Sequence, residues 1–166
     1  MFEEITKCKE LLTKFGGHPM AAGLSLPTEN IDLFRAKLNR QQTLTEKELT
    51  PVTWIDVPMP VSYASKKLVE QLRVLEPFGK GNEKPVFADR KLTVRSANMI
   101  GKNKNVLKMQ LEDTQGHVVD AIQFKVEEED MPLRGKEISI VYYPDINEFR
   151  GNQTLQFIVQ EWCYTT

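Results

Sequence analysis

The sequence is poor in the residues on which many catalytic and exported domains depend. It has two cysteines, Cys8 and Cys163, at opposite ends of 166 residues. Two such thiols form no disulfide framework and fit reduced residues of a cytoplasmic protein better than one long-range bridge. Histidine is as scarce, with only His18 and His117. That leaves no zinc-ligand spacing, no Ser-His-Asp set and no two-metal cluster, so neither catalytic nor metal-ligating residues are assigned. No run of about 18 apolar residues occurs, so no membrane span is expected. The opening Met1-Phe2-Glu3-Glu4-Ile5 lacks the basic stretch and apolar core of a secretory leader. Internal repeats and low-complexity tracts are missing as well.

The rest is an ordinary mixture of 40% hydrophobic and 27% charged residues, and the length suits one ordinary domain, or one small domain plus a fragment. Net charge is only −1, but it is unevenly spread. Residues 80–125 carry nine Lys and Arg against five Asp and Glu, whereas residues 126–166 carry three against eight. A basic stretch can contact phosphates within a nearly neutral chain, although a solvated face has the same composition.

Hydrophobic spacing divides the chain. Ile5, Cys8, Leu12 and Phe15 recur at helical intervals, and Gly16-Gly17 stops that helix. Ala21–Leu26 reads as a short buried strand. Thr28 can cap a second helix with the stripe Ile31, Phe34 and Leu38. Residues 39–50 are polar and unpatterned, a linker. Thr53–Val57 reads as a strand ended by Pro58 and Pro60. Ser65–Leu75 forms a third helix with Leu68, Leu72 and Leu75 inward. From Pro85 onward the period is two. Strands are expected around Leu92–Arg95, Leu107–Leu111, Val118–Phe124, Glu137–Tyr143 and Thr154–Trp162. The longest gap, Lys125–Gly135, lies between the third and the fourth; it is acidic and holds Pro132. The fold class is therefore α+β, ending in five strands of the kind an OB-fold barrel requires, though other small barrels share that period.

Two stretches carry the chemistry. In Phe15-Gly16-Gly17-His18-Pro19-Met20-Ala21-Ala22-Gly23, the glycines admit a ligand close to the main chain, and His18 can donate to a phosphate oxygen. The same residues also read as a helix stop followed by a locally bonded histidine. In Leu75-Glu76-Pro77-Phe78-Gly79-Lys80-Gly81-Asn82, the proline ends a helix, and the glycines and Asn82 build turns. The order Gly-x-x-x-x-Gly-Lys-Ser/Thr of a phosphate-binding P-loop is absent.

The first stretch resembles the Gly-Gly-His motif of DHHA1 domains, which accompany the catalytic DHH domain in a phosphoesterase superfamily. The second resembles the Leu-Glu-Pro-Phe-Gly-x-Gly-Asn segment that enters the OB domain of the RecJ family, except that Glu83 stands where a proline is usual. The resemblance implies the end of a DHHA1 domain over 1–42. A linker, strand and connector helix follow over 43–84, and an OB-fold over 85–166. It implies that Gly16, Gly17 and His18 contact substrate phosphates. It also implies a 5′-to-3′ single-stranded-DNA exonuclease of DNA repair and recombination, with Mn2+ or Mg2+ held by a domain whose Asp-His-His motif this sequence lacks. No cofactor is expected here. Arg95, Lys102, Lys104 and Lys108 lie on the first two barrel strands and their hairpin and are the candidate nucleic-acid contacts. Candidate stacking residues are Phe124, Tyr142, Tyr143, Phe149 and Trp162, half or more of which belong in the core. The expected partner is single-stranded DNA. The rival reading is an OB module that docks single-stranded-DNA-binding protein or a helicase, favoured by the acidic run Glu127–Asp130. A complete small phosphoesterase lacks the metal ligands it needs.

Overall fold

A computed structural model describes residues 2–165. The chain divides into two compact units, Met1–Val52 and Thr53–Thr166. The polar stretch after residue 42 thus goes with the first unit, and residues 53–84 go with the second.

In the first unit the expected helix over 5–15 is replaced. Helix α1 covers only Phe2–Thr6, and a single 3-10 turn follows at Lys9–Leu11. The chain then becomes a hairpin of β1 (Lys14–His18) and β2 (Ala21–Ser25), in antiparallel register from Lys14↔Ser25 to His18↔Ala21. The helical spacing holds for Ile5 and Cys8, which are buried. Past them Thr13 and two glycines are poor helix formers, and Thr13 bonds Ser25 O through both its N–H and its hydroxyl. Gly16-Gly17 is therefore strand rather than helix stop. Nor is β2 buried, because its residues alternate between exposed and half-buried. Thr28 enters a 3-10 turn, Thr28–Asn30, and α2 covers Ile31–Gln41 after it. Phe34 and Leu38 are half-buried, but Ile31 is exposed. Gln41 donates to Glu4 O, and Asn30 donates to Leu11 O. The stretch read as linker holds the end of α2 and a short helix α3 (Glu46–Leu49), where Glu48 accepts from the N–H and hydroxyl of Thr45.

In the second unit the strand expected at 53–57 shrinks to β3 (Val57–Pro58), parallel to the start of β4 (Phe87–Ile100). Asp56 sets that junction, its N–H bonding Val86 O and its carboxylate accepting from Val86 N–H. Ser65 caps α4 (Lys66–Leu72) by accepting from Leu68 N–H. Val69 is the buried anchor of this helix, whereas Leu75 lies in a following 3-10 turn and is exposed.

The five long strands are β4, β5 (Val106–Glu112), β6 (Val118–Phe124), β7 (Glu137–Phe149) and β8 (Asn152–Tyr164). Their order is β4-β5-β6-β8-β7, and β4 also pairs with β7, so the pairings return on themselves as a ring. Period-two alternation explains the interior: Leu107, Met109 and Leu111 point in, and Lys108 and Gln110 point out. At the centre Tyr142 packs against Phe157 and Phe87, with ring centroids 5.1 and 6.0 Å away. Its hydroxyl donates to Met59 O at 2.8 Å. Burial, reinforced by the Asp89 charge, pushes its pKa well above the ordinary phenol value. No helix among the described residues is long and apolar enough to cross a membrane.

Candidate nucleic-acid interface

The outer face of β5 and β6 gathers most of the predicted contacts. Lys108 stands opposite Asn98 of β4 and Ile122 of β6, and Val106 stands opposite Ile100 and Phe124. Inward residues alternate with these, so Lys108, Ile122 and Phe124 are turned outward together. Phe124 is 54% exposed, an aromatic face open to solvent on a strand whose other side is packed.

The β4–β5 hairpin borders one end of this face. Gly101 and Lys104 take positive φ of 86° and 47°, and Lys104 N–H closes the turn onto Gly101 O. Lys102 and Lys104 are thereby exposed on a tight, backbone-defined tip. The β7–β8 turn, Arg150-Gly151, carries a second exposed aromatic, Phe149, with the Arg150 guanidinium 5.1 Å from its ring centre. Sequence reasoning missed Arg150; the Arg-Gly-Asn triplet between two period-two runs was the available turn signal.

Arg95 differs from the lysines. It sits at a bulge in β4, and its guanidinium bonds Glu112 at 2.8 Å. Part of its charge is therefore already matched inside the protein. Among the candidate aromatics, Tyr142 and Tyr143 are buried, and Trp162 is half-buried and packs edge-on against Tyr164. Only Phe124 and Phe149 remain open for stacking.

At the opposite end of β5, Asp113 organises the turn into β6. Desolvation pushes its pKa up, but N–H bonds from His117 and Gln115 and the His117 ring outweigh it, so the carboxyl lies below its usual value. His117 is thus a turn residue whose N–H and ring both bond Asp113.

Gly16, Gly17 and His18 lie on β1 in the other compact unit, all exposed. A side chain at Gly17 would put Cβ 2.4 Å from Ala21 O, whereas Gly16 has nothing within 4 Å. Gly17 therefore serves the cross-strand approach and Gly16 leaves main chain uncovered. The His18 ring accepts a long bond from Met20 N–H, 3.4 Å. Among the described residues, no group of three or more His, Cys, Asp or Glu side chains could hold a metal ion.

The family model described as the RecJ OB domain matches residues 55–161. The chain belongs to the RecJ family. Relatives include the single-stranded-DNA-specific exonuclease RecJ of Bacillus subtilis, 32% identical over 97% of this chain and 21% of that protein. RecJ of Haemophilus influenzae is 37% identical over 90% of this chain and 26% of that protein. The chain thus spans about a quarter of the length of these RecJ relatives. Among solved structures, RecJ of Thermus thermophilus in complex with Mn2+ aligns with a TM-score of 0.73 at 19% identity, over 99% of this chain and 24% of that one. That likeness establishes the shared fold. The RecJ OB match begins at residue 55, before the helix α4, so the segment expected to be a connector lies largely within the matched region.

Proposed function

We propose that this chain is the substrate-binding portion of a RecJ-type 5′-to-3′ single-stranded-DNA exonuclease acting in DNA repair and recombination, and that it holds the strand without cutting it. The strand ring is read as a five-stranded OB barrel, and residues 1–42 as the end of a DHHA1 domain that offers Gly16, Gly17 and His18 to substrate phosphates. The observation that carries the DNA reading is the outward set Lys108, Ile122 and Phe124 beside the Lys102/Lys104 tip. OB-folds bind oligonucleotides on their second and third strands and the flanking loops. There, lysines track the phosphates while aromatic rings stack on bases without sequence preference. Hydrolysis would belong to residues other than those described, served by Mn2+ or Mg2+.

Fluorescence anisotropy with a labelled oligonucleotide tests this reading. With Arg95 engaged by Glu112, three free lysines remain, and at about −0.7 per phosphate they give a log–log salt slope near −2. Charge reversal of Lys102 and Lys104 together is expected to abolish most binding. Phe124→Ala is expected to weaken it by roughly 1–3 kcal/mol, the stacking contribution of one base. Affinity unchanged in both variants would move the site off this face and bring the partner-docking reading forward. The chain incubated with 5′-phosphorylated single strands and Mn2+ is expected to release no nucleotides. Release that a substitution in this chain eliminates would overturn the division of labour.

A further inference from the structure

The ring closes along only part of β8. Strand β6 pairs in parallel with β8 at Ala121↔Phe157 and Ile122↔Ile158. By the same offset Phe124 stands level with Gln160, so residues 161–164 of β8 run past the end of β6. The cause is local. Lys125 takes φ 60°, which ends β6 and turns the chain away, and Val126 N–H is then bonded to Asn105 O. A side chain makes the last link of the ring, Gln123 Nε2 donating to Gln160 O at 3.1 Å.

Beyond that point β8 has one free edge, and its direction follows from the ladder on its other side. Thr165 N–H donates to Glu137 O. Antiparallel ladders alternate bonded and non-bonded pairs. Cys163↔Ser139 and Glu161↔Val141 are therefore bonded pairs, and Tyr164↔Ile138 and Trp162↔Ile140 are not. The β4 side agrees: Val94 N–H donates to Lys136 O, which turns the main chain of Ile138 toward β4. The N–H and C=O groups of Trp162 and Tyr164 thus point away from β7, where no strand or other hydrogen-bond partner meets them among the described residues.

They open into a groove of about 500 Å3 between β8 and the segment after β6. Val126, buried, and Met131, half-buried, give it apolar lining. Its charged lining residues are Glu129, Asp130 and Glu161 against the single cation Lys125. Unpaired strand edges are templates for a further strand, and an added strand gains its affinity from main-chain bonds and its specificity from alternate side chains. We propose that the Trp162–Tyr164 edge of β8 docks an extended peptide segment of a partner protein, in which basic and aliphatic residues alternate. The acidic lining excludes a nucleic-acid strand from this groove, so the site is separate from the Lys108 face.

The test titrates the chain with a capped peptide of about ten residues alternating Lys and Val, and follows main-chain amide exchange by NMR. Without peptide, the amides of Trp162 and Tyr164 are expected to exchange faster than those of Glu161 and Cys163, which are bonded to β7. With peptide, both are expected to slow by about tenfold or more. The same peptide with a central proline, or with Glu in place of Lys, is expected to give no protection. The double variant Glu129→Lys, Asp130→Lys is expected to lose about tenfold in affinity. Four results would overturn the proposal. One is protection of Trp162 and Tyr164 in the free chain, which would mean the chain covers its own edge. The second is protection that grows with protein concentration alone, which would make the occupant a second copy. The third is equal protection by an oligonucleotide. The last is undiminished peptide binding by the double variant.

Discussion

Tyr142→Ala is expected to destabilise the Thr53–Thr166 unit by about 3–5 kcal/mol, the cost of deleting a large buried aromatic side chain. Tyr142 has no exposed surface and lies between two other rings, so neighbouring side chains have little freedom to collapse into the space. The effect has a second part. The hydroxyl holds Met59 O, and Met59 follows the short strand that pairs with β4. Tyr142→Phe separates the two: it keeps the ring and removes the bond, and is expected to cost only about 0.5–1.5 kcal/mol. Urea unfolding followed by tryptophan fluorescence is the measurement. Both tryptophans, Trp54 and Trp162, lie in this unit, so the signal reports it alone. A loss below about 1 kcal/mol for Tyr142→Ala would mean that the ring does not depend on this residue as its packing requires.

Gly17→Ala is expected to break the β1–β2 hairpin, while Gly16→Ala leaves it intact. The two glycines are adjacent in sequence and opposite in consequence. At Gly17 the added methyl would meet main chain of the facing strand, Ala21 O at 2.4 Å and Ala22 Cα at 2.6 Å, atoms that cannot move without parting the strands. A backbone forced out of its glycine-only conformation costs at least about 1–3 kcal/mol. At Gly16 a methyl meets nothing, and the loss of glycine's freedom in the unfolded chain favours folding by about 0.4–1 kcal/mol. His18→Ala removes only one long bond and is expected to leave the hairpin unchanged. Amide exchange across Lys14–Ser25 distinguishes these outcomes. If Gly17→Ala exchanges as slowly as the parent, the close approach of the two strands is not what holds this hairpin.

The position of Gly17 bears on the proposed phosphate contact. A flat two-glycine strand beside a histidine leaves main-chain N–H groups uncovered on one side, which is the surface an oxyanion can approach. The same geometry makes Gly17 irreplaceable for purely structural reasons. A loss of activity on mutating it would therefore say little about phosphate, and His18 is the informative position.

The lysine set shows a related division. Lys102, Lys104 and Lys108 were legible as a basic group because they are close in sequence and fall on one hairpin. That Arg95 is bonded to Glu112 was not legible, because the two are brought together by a strand register and a bulge that no local pattern encodes. The aromatic residues divide likewise. Alternation put Tyr142 and Tyr143 on opposite faces, yet both are buried, since Tyr142 continues the inward series of Ile138 and Ile140 and Phe78 packs edge-on against Tyr143 on the other face. Phe124, one residue before the chain turns away at Lys125, stays outside.

By itself the sequence determined the elements whose signal is local. The runs at Leu107–Leu111 and Val118–Phe124 are both strands, and in the first the alternating polarity puts Leu107, Met109 and Leu111 inward as expected. The helix after Ser65 needs only its apolar spacing, of which Leu68 and Leu72 are half-buried while Leu75 is exposed, and the motif from Leu75 to Asn82 needs only its residues in order to mark the family. Tertiary structure decided what depends on distant partners. Lys14–His18 became a strand because Ser25 and its neighbours offered a ladder, against a helical spacing that Ile5 and Cys8 had already used. Val69 rather than Leu75 anchors α4 because β7 lies on one side of that helix. The free edge at Trp162 and Tyr164 exists because β6 ends first. Strand ends, bulges and ring closure are set by hydrogen-bond partners far along the chain, and a local pattern holds no information about which partner arrives or where it leaves.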